Sequence, residues 1–145
     1  MHAAPETKPT VRDATTPGIR RALDHIERHF TESLYLENLA SLAGLSVCRF
    51  VTVFRRQVGL TPHRFICHRR VAHAKALLRD GMAPALVASE AGFFDQSHLS
   101  RHFKAVCGTT PGRYLRELDP RRHIENAATR RPQPQRLAFE NVLPN

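Results

Sequence analysis

The chain has 145 residues, 41% of them hydrophobic and 24% charged, which is a prior of about one ordinary domain with a modest core. Against 13 Asp and Glu stand 22 Lys and Arg, a net charge of +9 that points to a polyanionic partner, either nucleic acid or an acidic membrane face. No apolar run approaches the ~20 residues of a membrane-spanning helix, and no secretory signal is expected in the Ala/Pro/Thr-rich residues 1–18. The three cysteines, Cys48, Cys67 and Cys107, cannot all pair and show no CxxC spacing, which fits a reduced cytoplasm.

Residues 1–18 are rich in Ala, Pro and Thr and neutral overall, so a disordered tail is expected there. In the body that follows, residues 19–118, Ile19, Leu23, Ile26 and Phe30 recur at helical spacing. Leu36, Leu39, Ala40 and Leu42 predict a second, short helix ending at Gly44. From Pro62 to Arg79 runs one uninterrupted helical stretch, with Gly81 just past its end. Sustained alternation of period two is missing throughout, so the fold class is all-α. Residues 119–145, Pro/Arg/Gln-rich, read as a second, mostly disordered tail. Charge concentrates in the body, with 15 basic and 8 acidic side chains. Leu45–Arg79 alone carries eight basic groups and no acidic one. A charge run is ordinarily a solvated face, but a stretch of that length without a carboxylate implies an anionic ligand.

The body contains an internal repeat. Ala40, Ser41, Ala43 and Gly44 recur 48 positions later as Ala88, Ser89, Ala91 and Gly92. One extra residue, Phe94, moves the offset to 49. Phe54, Arg55, Gly59, Thr61-Pro62 and Phe65 then meet Phe103, Lys104, Gly108, Thr110-Pro111 and Tyr114. This ordered set marks a duplicated unit. Each copy has a short helix closed by glycine, a capping residue (Ser46 or Asp95), and an amphipathic helix. In the first copy Val47, Phe50, Val51, Val53, Phe54 and Val58 fall on one arc, opposite Cys48, Arg49, Thr52, Arg55 and Arg56. In the second, Leu99, Phe103 and Cys107 point inward, while Ser97, His98, Arg101 and Lys104 point outward beside Gln96. That is the helix-turn-helix plan, present twice: about 36–58 and about 84–107, joined by a linker helix at about 62–79. A stiff linker can set two reading helices ~34 Å apart, the spacing of successive major grooves on one face of a duplex.

The segments LASLAGLS (39–46), FRRQVGLTPHRFI (54–66), RRVAHAKALL (69–78) and AGFFDQSHLSRHFKAVCGTTPGRYL (91–115) resemble the DNA-binding domain of the AraC/XylS family of bacterial transcription regulators. The resemblance covers about 19–118. It implies about seven helices in two lobes, each lobe placing one helix in a major groove of promoter DNA, and a transcriptional regulator, expected to be an activator. Carried over, the base-reading set is Gln96, Ser97, His98 and Arg101 in the second copy, with Cys48, Arg49 and Thr52 in the first. Arg101 suits guanine O6 and N7 together, worth ~1–3 kcal/mol of discrimination. Arg55, Arg56, Lys104 and the helix starts at Ser46 and Asp95 are expected phosphate neighbours, which position without reading sequence. The chain departs from the family at Val51-Thr52, where a polar residue and Arg are common, so discrimination is expected to lean on the second copy. Residues 1–18 are too short for the sensing or dimerising domain most of the family carry. Either a sensor is supplied elsewhere or, the favoured expectation, the chain is a monomer on DNA controlled by its abundance, with RNA polymerase as a candidate further partner and the nucleoid as its place.

Nine histidines raise a metal reading, but the i,i+4 pairs His25/His29 and His98/His102 lack a Cys or carboxylate at ligand spacing. Surface or DNA-facing histidines account for them, and no metal or cofactor is expected. Cys67 and Cys107 read as core, and Cys48 as an outward thiol beside Arg49, inert or a redox switch. No GxSxG, Walker-type loop or HExxH is present, and the three scattered cysteines do not make the zinc cluster of alkyltransferase-type repair regulators, so no enzyme is expected. The rival reading is a nonspecific nucleic-acid-binding or helical interaction module, which would bind RNA or acidic proteins without duplex sequence preference.

Overall fold

The computed structural model describes residues 14–121. Of the tails expected at 1–18 and 119–145, residues 1–13 and 122–145 lie outside the described residues. Seven helices follow one another: α1 (Pro17–His29), α2 (Leu36–Ala43), α3 (Val47–Val58), α4 (Pro62–Arg79), α5 (Pro84–Glu90), α6 (Gln96–Cys107) and α7 (Pro111–Leu118). No strand occurs among the described residues, and the all-α, seven-helix expectation holds. No single helix among them is long and apolar enough to cross a membrane. The pair α2 and α3 reaches that length only together, across a 75° bend.

Helix α1 opens at Pro17, two residues before the expected body, because proline at N1 sacrifices only an amide that lacks an intrahelical partner anyway. The residues ahead of it are tied in: the Thr16 N–H donates to Gln57 Oε1 at 2.9 Å and Thr15 is buried. Two hydrophobic cores result. The first gathers Ile19, Ala22, Leu23 and Ile26 of α1, Leu39, Ala40 and Ala43 of α2, Phe50 and Phe54 of α3, and Ile66 of α4. The second gathers Val71, Ala74 and Leu78 of α4, Val87 and Ala88 of α5, Ala91, Phe93, and Leu99 and Phe103 of α6. Helix α4 therefore closes one lobe with its first half and opens the other with its second.

The duplication is visible in three dimensions. After α2, the Leu45 N–H bonds Ala40 O at 3.0 Å, and after α5 the Phe93 N–H bonds Ala88 O at 2.8 Å, the same helix-ending turn around a left-handed glycine, Gly44 or Gly92. Thr61 and Thr110 each cap the next helix through their hydroxyls, accepting from Arg64 N–H and Arg113 N–H, with proline following at N1. Phe54 meets Phe65 edge-on at 5.8 Å, and Phe103 meets Tyr114 edge-on at 5.5 Å. The repeat also reaches further than the sequence match. Ile19, Ala22 and Ile26 of α1 have the spacing of Val71, Ala74 and Leu78 of α4 and do the same job in the other core.

Candidate nucleic-acid interface

The outer faces of α3 and α6 are placed by their caps. Ser46 accepts from Arg49 N–H at 3.3 Å and Asp95 accepts from His98 N–H at 2.7 Å, so both helix starts are fixed. Both helices end on a left-handed glycine, Gly59 or Gly108. Phe50 and Phe54 bury one side of α3, and Leu99 and Phe103 one side of α6. The opposite sides stand in solvent. On α3 this exposes Cys48, Arg49, Thr52, Arg55 and Arg56, and on α6 Gln96, Ser97, Arg101 and Lys104. Val51, which shares both arcs, is half-buried.

None of the five cations on these two faces, Arg49, Arg55, Arg56, Arg101 and Lys104, has an ion pair or hydrogen bond from its side chain among the described residues. Several arginines elsewhere are engaged: Arg69 with Glu27, Arg113 with Glu117, Arg21 with Leu42 O, and Arg70 with two carbonyls. Unpaired guanidinium forks on two equivalent helix faces are what phosphate and base-edge recognition requires. Thr52 is different, since its hydroxyl donates back to Cys48 O at 3.1 Å. Its methyl and its acceptor lone pairs are what it can offer a groove.

His98 is the site residue the structure places least as sequence suggests. It is half-buried, its Nδ1 accepts from Phe94 N–H at 3.1 Å, and its ring lies edge-on to Phe93 at 5.4 Å. It thereby braces the turn in front of α6. Burial and, next, the nearby Arg101 charge hold it below the ordinary imidazole value, against the opposite pull of Asp95. His102 is held low by burial and then by His98. It stacks on Phe93 at 5.8 Å and faces His63 at 6.1 Å. These rings are structural as much as superficial, and among the described residues no group of three or more metal-ligating side chains is arranged to hold an ion. Cys67 is buried between the lobes, where burial pushes its thiol up against the pull of Arg70, Cys107 is half-buried, and Cys48 is exposed.

Two cations escaped the sequence reading. Arg64, exposed in the first turn of α4 beside the C-terminus of α3, was signalled by its repeat partner Arg113. Arg70, bonded to carbonyls 38 and 40 residues earlier, had no such signal.

Two helix-turn-helix units with exposed, uncompensated basic faces, set on one shared helix, define a DNA-binding domain of the double helix-turn-helix class. A family model described as a helix-turn-helix domain matches residues 39–117, and the chain belongs to that AraC-type family. It is 34% identical over 92 residues to a probable transcriptional regulator, LumQ, of Photobacterium leiognathi, covering 63% of this chain and 37% of the relative. It is 30% identical over 113 residues to XylDLEGF operon transcriptional activator 3 of Pseudomonas putida, covering 72% of this chain and 34% of the relative. Its fold matches the DNA-binding domain of the global transcriptional factor AdpA, solved in complex with a target DNA. The TM-score is 0.67 at 27% identity, over 74% of this chain and 98% of that one. The chain spans about a third of the length of the curated relatives it matches.

Proposed function

We propose that the chain binds double-stranded promoter DNA in a sequence-specific way and regulates transcription, with α3 and α6 entering adjacent major grooves of one duplex. The observation that carries this reading is the pair of equivalent, solvent-facing helix surfaces whose cations have no partner among the described residues. The transcriptional roles of the relatives and the target DNA bound by AdpA support it. Gln96, Ser97 and Arg101 read base edges in one groove, with His98 setting the turn that presents them. Cys48, Arg49 and Thr52 face the other groove, where Thr52 contributes apolar contact with a thymine methyl. Arg55, Arg56 and Lys104 hold phosphates, and Ser46 and Asp95 serve by fixing the helix starts, whose free amides favour anions. The chain acts as a monomer on DNA in the cytoplasm, on the nucleoid, activating through contact with RNA polymerase. No catalytic step, cofactor or membrane contact belongs to this function.

Selection of random duplexes by the purified protein, followed by footprinting and salt titration, tests the reading. Two enriched blocks about one helical turn apart are expected. Arg101→Ala should blur one block at a cost of ~1–3 kcal/mol, roughly 5- to 150-fold. Enrichment of no sequence, with steep salt dependence alone, would move the chain to the nonspecific nucleic-acid-binding class.

A further inference from the structure

The two cores share α4 but no residue: the first ends at Ile66 and the second begins at Val71. A single helix crossing between two lobes leaves them free to twist and bend about its middle. A second attachment is present there. Arg70, on the α4 segment between the cores, spreads its guanidinium across the loop that follows α1. Nε donates to Phe30 O at 2.6 Å and Nη2 donates to Glu32 O at 2.8 Å. The residue between those carbonyls, Thr31, is the one against which the second lobe rests. A Cβ on Gly92, in the turn before α6, would lie 2.7 Å from Thr31 O and 2.9 Å from Thr31 Cα. Backbone therefore meets backbone without an intervening side chain. Arg69 anchors the same corner by its ion pair to Glu27 at 2.6 Å.

We propose that Arg70 and Gly92 form a second joint between the lobes, which with α4 fixes the orientation of α3 relative to α6. The chain then accepts two half-sites at one spacing only. Arg70 is a positioning residue, acting through the loop rather than on DNA. A guanidinium suits this role because its planar fork bridges two fixed acceptors at once, which an ammonium does less well. The spacing consequence rests on the DNA-reading function proposed above, whereas the joint itself is a property of the free protein.

The test has one arm for each. Residual dipolar couplings of backbone amides in the free, full-length chain report whether both lobes tumble as one body. Wild type is expected to fit a single alignment tensor and Arg70→Ala to require two, each lobe keeping its own dispersed spectrum. A single tensor for Arg70→Ala overturns the joint. Gly92→Ala and Gly44→Ala provide a second comparison that survives any loss of folding in the arginine variant. Both put a Cβ on a left-handed backbone, but only the one at Gly92 meets the other lobe. Gly92→Ala should separate the tensors and Gly44→Ala should not, and equal effects overturn the proposal.

In the second arm, duplexes carrying the selected half-sites are lengthened or shortened by single base pairs. Wild type should lose at least ~10-fold in affinity off its optimum, and Arg70→Ala should flatten that difference to less than ~3-fold. An unchanged optimum with a salt slope lowered by about one is the signature of a phosphate contact and overturns the positioning role. Failure of wild type to select any duplex would refute the regulator reading, and the tensors would still decide the joint.

Discussion

Asp95 sets two effects against each other, and they can be separated. Its carboxylate accepts from His98 N–H at 2.7 Å, and its backbone is extended, the geometry of an N-cap. It also places an anion at the start of a face otherwise made of Gln96, Ser97, Arg101 and Lys104. Asp95→Asn keeps an acceptor for the cap and sheds the charge. The loss of charge–dipole attraction costs ~0.5 kcal/mol, or a fall in Tm of ~2–4 °C for a domain of this size. Asp95→Ala removes the cap as well and should cost ~1–2 kcal/mol, a fall of ~5–15 °C. On DNA the order reverses. A carboxylate within a Debye length of ~8 Å of phosphates opposes binding by the few tenths to 1 kcal/mol typical of exposed pairs, so Asp95→Asn should bind about two- to fivefold tighter. Thermal melts by circular dichroism and anisotropy titrations against the selected duplex, at several salt concentrations, measure both. The gain should shrink as salt rises. Weaker binding by a folded Asp95→Asn would refute the reasoning and make the carboxylate a reader of a base amine, such as cytosine N4.

Three further outcomes follow from the same geometry. N-ethylmaleimide applied to the native protein should modify Cys48 well before Cys107 and Cys67, and the singly modified chain should lose duplex binding while keeping its helix content. Retained affinity would take α3 out of the groove. On acidification the domain should lose stability: His98 and His102 are held below the ordinary imidazole value, so the unfolded chain takes up protons first, near pH 6.5. The unfolded state then binds more protons, Tm falls as pH drops through that value, and the fall levels off once the folded rings also protonate. Protonation of His98 at Nδ1 would also remove its bond from Phe94 N–H. A paired His98→Gln, His102→Gln variant should flatten the slope from pH 7.5 to 5.5, and an unchanged slope counts against the assignment. Phe54→Ala and Phe103→Ala, both fully buried, should each cost ~3–5 kcal/mol, a large share of the 5–15 kcal/mol of a typical domain, visible as a collapse in urea midpoint. A midpoint near wild type for either would remove it from its core.

The helices, the turns and the outer faces were legible because each rests on local chemistry: Ser46 and Asp95 at helix starts, Gly44 and Gly92 after helix ends, Phe50/Phe54 and Leu99/Phe103 one turn apart. Duplication then amplified these signals, since a pattern repeated at offsets of 48 and 49 is far harder to produce by accident than either copy alone. The equivalence of α1 with the second half of α4 escaped for the opposite reason. Only Ile19/Val71, Ala22/Ala74 and Ile26/Leu78 carry it, while Leu23 is answered by Lys75, which leans over the Tyr114 ring instead of entering the core. The helical position of His98 predicts an outward ring, but a side chain beside a turn can fold back to a free amide, and Phe94 N–H supplies one. Arg70 was the least readable. Its partners are backbone carbonyls, which have no residue identity, and they lie 38 and 40 positions away.

What the two copies share and where they differ assign different work to the lobes. The scaffold is common: cap, core phenylalanine, C-terminal glycine, Thr-Pro and an edge-on aromatic pair recur in both. The reading ends are not. In the first lobe Thr52 spends its hydroxyl on its own helix and the remaining cations, Arg49, Arg55 and Arg56, surround it. In the second, Arg101 is uncommitted beside Gln96 and Ser97, and the turn before them is braced by His98 and Phe93. A free fork on a braced helix can discriminate base edges sharply, whereas cations around a methyl favour phosphate and add a weaker preference for sequence. We therefore propose that the first lobe supplies most of the salt-dependent hold and the second most of the discrimination. Such a division works only if the weakly reading lobe is delivered in register by the strongly reading one. A rigid connection between the lobes does that, which gives the contact of Arg70 and Gly92 around Thr31 a purpose beyond stability.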